Sequence, residues 1–181
     1  MKKLLLLVLI SLCVSVHGQE KKFQSRFNRL KAIKGTEFVI ASVDNYGKLF
    51  KTDESLMIIN SKTGQTTPVT FPQKINVVKI KQVRIDSLGI NDLVVTAQIM
   101  EKNQSIFDIQ TRLFIVSTDG RTVKQLTDDY YYTIDWVVNK KAGSLVITGQ
   151  SDVNKNGKID SYDKNDILIF DLKTLTRIED K

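Results

Sequence analysis

Six short apolar runs, arriving in pairs at regular intervals, constrain what this chain can fold into. The first members are Glu37-Phe-Val-Ile-Ala-Ser42, Asp92-Leu-Val-Val-Thr-Ala97 and Ser144-Leu-Val-Ile-Thr-Gly149. Each is followed, after a polar stretch, by Leu56-Met-Ile-Ile59, Leu113-Phe-Ile-Val116 or Ile167-Leu-Ile-Phe170. Runs of this length, rich in β-branched residues, read as strands, and their lack of alternation means burial on both faces. Turns at Lys62-Thr-Gly64, Thr118-Asp-Gly120 and Leu172-Lys-Thr174 then lead into a short, Thr-rich strand. An Asp-Gly pair is a strong hairpin signal, because both residues tolerate the backbone a tight turn needs. A further strand precedes each pair: Phe27-Asn-Arg-Leu-Lys-Ala-Ile33, Val77-Val-Lys-Ile-Lys-Gln-Val-Arg-Ile85 and Tyr131-Tyr-Thr-Ile-Asp-Trp-Val-Val138. Helical periodicity is poor, and only residues 21–34 also fit a helix.

The unit is therefore four strands in about fifty residues, repeated over about 23–73, 76–129 and 130–181, close to the span of a propeller blade. In the first strand of the third unit the alternation places Tyr132, Ile134, Trp136 and Val138 on one face, with Thr133, Asp135 and Val137 on the other. The run Leu113-Phe-Ile-Val-Ser-Thr-Asp-Gly-Arg-Thr-Val-Lys-Gln-Leu-Thr127, followed by Ile134-Asp-Trp136, resembles the TolB-type, WD-repeat-like β-propellers of bacterial envelopes. The resemblance covers about one and a half units, and Val137-Val-Asn-Lys-Lys-Ala-Gly143 stands where that family has a Ser-Pro-Asp-Gly turn. The expected fold class is all-β: three four-stranded antiparallel repeats built like propeller blades, with a β-sandwich as the alternative. Closed propellers typically have four to eight blades, so three leave two apolar faces to cover. A homodimer closing a six-blade ring, an open stack with altered end blades and a sandwich are the three solutions.

Chemistry concentrates in Asp152-Val-Asn-Lys-Asn-Gly-Lys-Ile-Asp-Ser-Tyr-Asp163. A calcium loop of the EF-hand kind places oxygen ligands at positions 1, 3, 5, 7, 9 and 12, with Gly at 6. Counting from Asp152, these are Asp152, Asn154, Asn156, the carbonyl of Lys158, Asp160 and Asp163, with Gly157 at the sharp turn. Ile159, at position 8, is placed to anchor the loop to a core. Asp at position 12 reaches an ion less easily than Glu, and Lys155 and Lys158 add positive charge. The expected affinity is on the order of 10⁻⁵ to 10⁻³ M for one Ca²⁺. The bland alternative is an Asn/Gly turn with no metal. The loop resembles those of dockerin modules and of loop-inserted bacterial propellers. Dockerins carry two such loops on helices, so their function does not transfer to a single loop before a strand. The corresponding connections, Asp44 to Asp53 and Met100 to Ser105, lack the ligand spacing.

Residues 1–18 read as a secretory signal: Lys2 and Lys3, an apolar stretch from Leu4 to Val16 too short for a comfortable membrane span, then Val16 and Gly18 at the cleavage site. Residues 19–181 form a single β-repeat domain on this reading, secreted or periplasmic and without a transmembrane span. Lipid attachment at Cys13 is the alternative, although Leu12 stands where a small residue is wanted. Cys13 and His17 are the only Cys and His in the chain. A processed chain thus excludes Ser-His-Asp and Cys-His catalysis, His-based metal sites and disulfides. The formal net charge of +7 falls by two with Lys2 and Lys3. No basic run suits nucleic acid. Lys74, Lys79, Lys81 and Arg84 make a basic strand, read either as a partner surface or as the solvated side of an edge strand.

These features point to a non-catalytic, propeller-like binding or scaffold protein with one structural calcium site and a protein or glycan partner. The alternative is a carboxylate-based carbohydrate-active or carbohydrate-binding protein. It would use Asp128, Asp129 and Asp135 beside Tyr130, Tyr131, Tyr132 and Trp136; the bland reading makes Tyr132 and Trp136 core and Asp128-Asp129 a loop.

Overall fold

The computed structural model describes residues 27–42, 56–99 and 110–179. The expected signal segment, residues 1–18 with Cys13 and His17, and the connections containing Asp44 to Asp53 and Met100 to Ser105 lie outside them. The described chain is all-β, in three four-stranded antiparallel sheets. The first holds β1 (Arg29–Ala32), β2 (Phe38–Ser42), β3 (Leu56–Asn60) and β4 (Thr66–Pro68). The second holds β5 (Ile75–Ile85), β6 (Ile90–Ile99), β7 (Thr111–Ser117) and β8 (Val123–Gln125). The third holds β9 (Tyr131–Asn139), β10 (Ser144–Ser151), β11 (Lys164–Asp171) and β12 (Thr176–Arg177). In each sheet the strands follow chain order, as successive hairpins require. Residues 29–32, inside the stretch that also fits a helix, form strand.

The three sheets stack in sequence order and do not close on one another. The middle sheet is covered on both sides. Leu93, Val95, Phe114 and Val116 pack with Ile40, Leu56 and Ile58 of the first sheet. Val94, Leu113 and Ile115 pack with Leu145, Ile147, Leu168 and Phe170 of the third. Successive residues of one strand point to opposite faces, so β6 and β7 feed both cores, which is why they contain no polar alternation. A sandwich of sheets and an open stack of blades share this packing.

Two strands depart from strict alternation. Between Asp135 and Thr133, opposite Thr148 and Gly149, the register slips by one residue and Ile134 becomes the extra residue of a β-bulge. The expected face of Tyr132, Ile134, Trp136 and Val138 is therefore broken. Trp136 and Tyr131 enter the core between the second and third sheets with Val138 packed against it, while Ile134 is exposed. A bulge switches the side-chain face beyond it, so a period-2 count cannot be carried through. Gly149 permits the close approach: a Cβ there would lie 2.2 Å from the Tyr132 carbonyl oxygen and 2.5 Å from the Tyr131 ring. A second slip in β5 leaves Val78 outside the ladder and exposed.

Polar contacts hold the stack in register. The Gln82 amide accepts from the Lys34 N–H at 2.9 Å and donates to its carbonyl at 2.8 Å, tying the second sheet to the first. The Trp136 indole N–H donates to Thr96 Oγ at 3.0 Å, tying the third sheet to the second. Lys79, Lys81 and Arg84 lie on β5, an edge strand, with Lys74 just before it. The Lys79 and Lys81 ammonium groups lie 5.2 and 5.4 Å from the Trp136 ring centroid, within cation–π range. Arg84 pairs with Asp86 at 2.6 Å.

Because the middle sheet belongs to both cores, loosening one core should loosen the other. Phe114→Ala, in the core between the first two sheets, is expected to cost roughly 3–5 kcal/mol. Denaturant unfolding followed by Trp136 fluorescence, a reporter in the other core, should show the full shift. An unmoved Trp136 transition would mean that the two cores unfold independently.

Candidate metal centre

The acidic loop joins β10 to β11 at one end of the third sheet. Asp152, the residue after β10, is its pivot. The Asp152 N–H donates to the Tyr130 carbonyl at 2.8 Å, continuing the ladder with the residue before β9. The side chain turns inward, and the residue is only 3% exposed. Its carboxylate accepts the N–H of Gly157 at 2.8 Å and of Asn156 at 3.2 Å, so the loop is wound around it. Gly157 has φ of 76°, the left-handed conformation expected at the sharp turn. Lys155 adopts φ of 56°, and its ammonium lies 5.0 Å from the centroid of the Tyr130 ring.

The remaining oxygen-bearing side chains close the loop. Asn154 Oδ1 accepts from the Asn156 N–H at 3.0 Å, and Asn156 Oδ1 from the Lys158 N–H at 2.8 Å. The Asn156 amide donates to Asp160 Oδ2 at 2.8 Å, and the Asn154 amide to the same oxygen at 3.4 Å. Asp163 reaches back across the turn, accepting from the Asp160 N–H at 2.7 Å and the Val153 N–H at 3.1 Å. Asp152, Asn154, Asn156, Asp160 and Asp163 thus belong to one connected hydrogen-bonded loop, with the Lys158 backbone in it. Ile159 does not play its expected part. It is exposed, and the buried Asp152 carboxylate anchors the loop instead. A satisfied carboxylate can be buried where its N–H donors are local, and the turn leaves Ile159 facing solvent.

The Tyr162 N–H, at 2.8 Å, and then the Asn156 amide hold the Asp160 carboxyl below the usual aspartate range. Among the described residues, no group of three or more His, Cys, Asp or Glu is drawn together tightly enough to hold a metal ion. The carboxylates are bridged by asparagine amides and backbone N–H groups. Each carboxylate oxygen retains lone-pair capacity beyond these bonds, and a half-turn of either amide replaces its donor with an acceptor.

The carboxylates of the carbohydrate reading have other engagements. Asp128 Oδ1 accepts from the Tyr130 N–H at 2.9 Å. Asp129 pairs with Arg112, whose side chain is 4% exposed, and also accepts from the Gln125 amide at 3.1 Å. Arg112 further donates to Gln110 Oε1 at 2.6 Å and to the Asp129 carbonyl at 3.1 Å. Asp135 lies opposite Thr148, on the solvent side of the third sheet. Tyr131 and Tyr132 are buried and Tyr130 is exposed. Burial, with Asp166 nearby, pushes the Tyr131 hydroxyl up to about 12. It stays protonated and donates to the Asp166 carbonyl at 2.9 Å. The Arg112–Asp129 link was not read from the sequence. Its only signal is a lone cation opening an apolar run that pairs in a hairpin with the segment before Asp128-Asp129.

Among the described residues, no helix is long and apolar enough to cross a membrane. No family model matches the chain, and no curated protein is detectably similar to it.

Two outcomes are expected. Asp129→Ala leaves the buried Arg112 short of partners and should lower stability by roughly 1–3 kcal/mol in denaturant titration. In an NMR titration the Asp160 carboxyl should protonate below an ordinary aspartate, and Asn156→Ala should raise its midpoint. The folded-state value lies below the unfolded one. Its contribution to stability is thus complete above the unfolded pKa and is lost as pH falls through the folded pKa.

Proposed function

We propose that this chain is an exported, non-catalytic binding or scaffold protein of the propeller-like kind, with one structural calcium site in its last sheet. Asp152, Asn154, Asn156, Asp160 and Asp163 supply side-chain oxygens, and Lys158 its carbonyl. The observation that carries this reading is the buried Asp152 carboxylate at the centre of a loop whose other oxygen donors sit at the spacing of a calcium loop. Charge of this kind wound into a turn is stabilised further by a cation that replaces weak amide contacts with ion–oxygen bonds. The ion's part is to order a long connection between two strands.

The ordered loop displays rather than buries apolar groups. Val153, Ile159 and Tyr162 are exposed on it, with Tyr130 exposed beside it. Aliphatic and aromatic side chains on a rigid loop are suited to recognising a protein or glycan partner. The leader directs the chain to the periplasm or the medium, where free calcium suits a weak site. The ion pair with the buried Arg112 gives Asp129 a structural partner within the fold, which supports binding over glycan cleavage.

Calorimetry with calcium chloride should give one site per chain, with Kd on the order of 10⁻⁵ to 10⁻³ M. The heat should disappear in Asp163→Asn and in Asp152→Asn. Calcium at about a hundred times Kd should add about 2.7 kcal/mol to stability in the parent chain and nothing in the variants. Absence of heat through the millimolar range would reduce the loop to an Asn/Gly turn.

A further inference from the structure

Each joint in the stack is made the same way. The first sheet presents one face, with Ile40 opposite Ile58 and Ser42 opposite Leu56. In the second sheet the matching positions are Val94 opposite Ile115 and Thr96 opposite Leu113. We call this the front. The back of the second sheet has Leu93 opposite Val116 and Val95 opposite Phe114. The back of the third has Leu145 opposite Phe170 and Ile147 opposite Leu168. Front packs on back at both joints, first sheet to second and second to third. The stack is therefore head-to-tail, and among the described residues it ends with one front and one back that no other sheet covers.

The vacant front, on the third sheet, keeps the pattern of the occupied ones. Val146 lies opposite Ile169 and Thr148 opposite Ile167. Val137 on β9 and Ile178, the residue after β12, extend the Val146–Ile169 pair into a row of four aliphatic residues. Ile167 is 59% exposed, whereas its counterparts Leu113 and Leu56 are 0% and 1% exposed. The vacant back, on the first sheet, has Val39 opposite Ile59 and Ala41 opposite Met57. Leu30 lies opposite Ala41, just as Trp136 lies opposite Ile147. Leu30 is 72% exposed, and Trp136, its counterpart, is 8% exposed.

The residues that meet at the edge strands also match. Lys81, paired with Val94 on a front, covers the Trp136 ring on the back of the next sheet. On the vacant front the position paired with Val146 is Val137, and on the vacant back the position of Trp136 is Leu30. Of the two cations over the Trp136 ring, Lys81 has aliphatic Val137 as its counterpart on the free front, whereas Lys79 has Asp135 at the end of the Thr148–Ile167 row. The aliphatic row of Val137, Val146 and Ile169 on the front thus has an aliphatic counterpart at Leu30 on the back, with Asp135 at the margin of the front.

We propose that the occupant of these faces is a second copy of this chain. The front of the third sheet of each copy packs on the back of the first sheet of the other, so that two joints continue the two inside each chain. A head-to-tail contact either closes or runs on as a filament. Two chains supply six sheets, within the four to eight typical of closed rings of blades. The arrangement does not depend on the loop's cation.

Sedimentation velocity on the full chain at tens of micromolar tests this. The expected mass is that of two chains. Ile167→Lys, which spoils the front, and Leu30→Lys, which spoils the back, should each sediment as one chain with an unchanged circular-dichroism spectrum. Mixed in equal amounts, they should recover a two-chain species, because the intact front of one meets the intact back of the other. A parent chain that sediments as one chain overturns the proposal, as does one that grows beyond two. A mixture that stays monomeric overturns the head-to-tail arrangement, since that arrangement alone requires the two defects to complement.

Discussion

Burial of the middle sheet on both faces is the constraint on which the rest of the molecule depends. Leu93 and Val94 are adjacent in the chain, yet they belong to different cores and both are fully buried. A strand used in this way has no solvated face, so its sheet is stable only when something flat and apolar lies on either side. The first and third sheets meet that need. They are also joined to the middle sheet by polar contacts, at Gln82 with Lys34 and at Trp136 with Thr96, that set how one sheet sits on the next. The apolar packing supplies the stability and these bonds the register.

The same design accounts for what the outer sheets present. Head-to-tail packing of three similar units always leaves two unlike faces, and in this chain each keeps aliphatic residues on its central strands, although Asp135 and Thr148 also lie on the front of the third sheet. Ile167 and Leu30 remain aliphatic where a solvated end sheet would carry charge. Capping units of repeat proteins carry a polar outer face for solubility; these end sheets keep aliphatic residues on theirs.

The loop between β10 and β11 is a different kind of structure, held by side chains rather than by a ladder. Its carboxylates and amides satisfy one another and the backbone, around an Asp152 that is nearly as buried as the core. That construction makes the loop compact and sets the exposed Val153, Ile159 and Tyr162 on its surface. It also places Tyr130 beside the loop, through the bond between its carbonyl and the Asp152 N–H and the stacking of Lys155 on its ring.

The strand inventory and the pairing order were legible in the chain, because apolar runs and turn residues act locally. Leu113 to Val116, short, apolar and bounded by turn residues, reads as a buried strand and is one, and Asp119-Gly120 turns where the Asp-Gly signal predicts. The composition of the calcium-like loop was legible for the same reason: ligand spacing is a property of neighbouring residues. Only the tertiary structure decided which face each residue took beyond a bulge. Ile134 left the core and Tyr131 entered it because Gly149, on the neighbouring strand, allowed the backbone to close in. It also decided that Asp152 rather than Ile159 anchors the loop, and that Asp129 meets Arg112 from another strand. These outcomes depend on residues distant in sequence coming within bonding distance, and no local pattern encodes that.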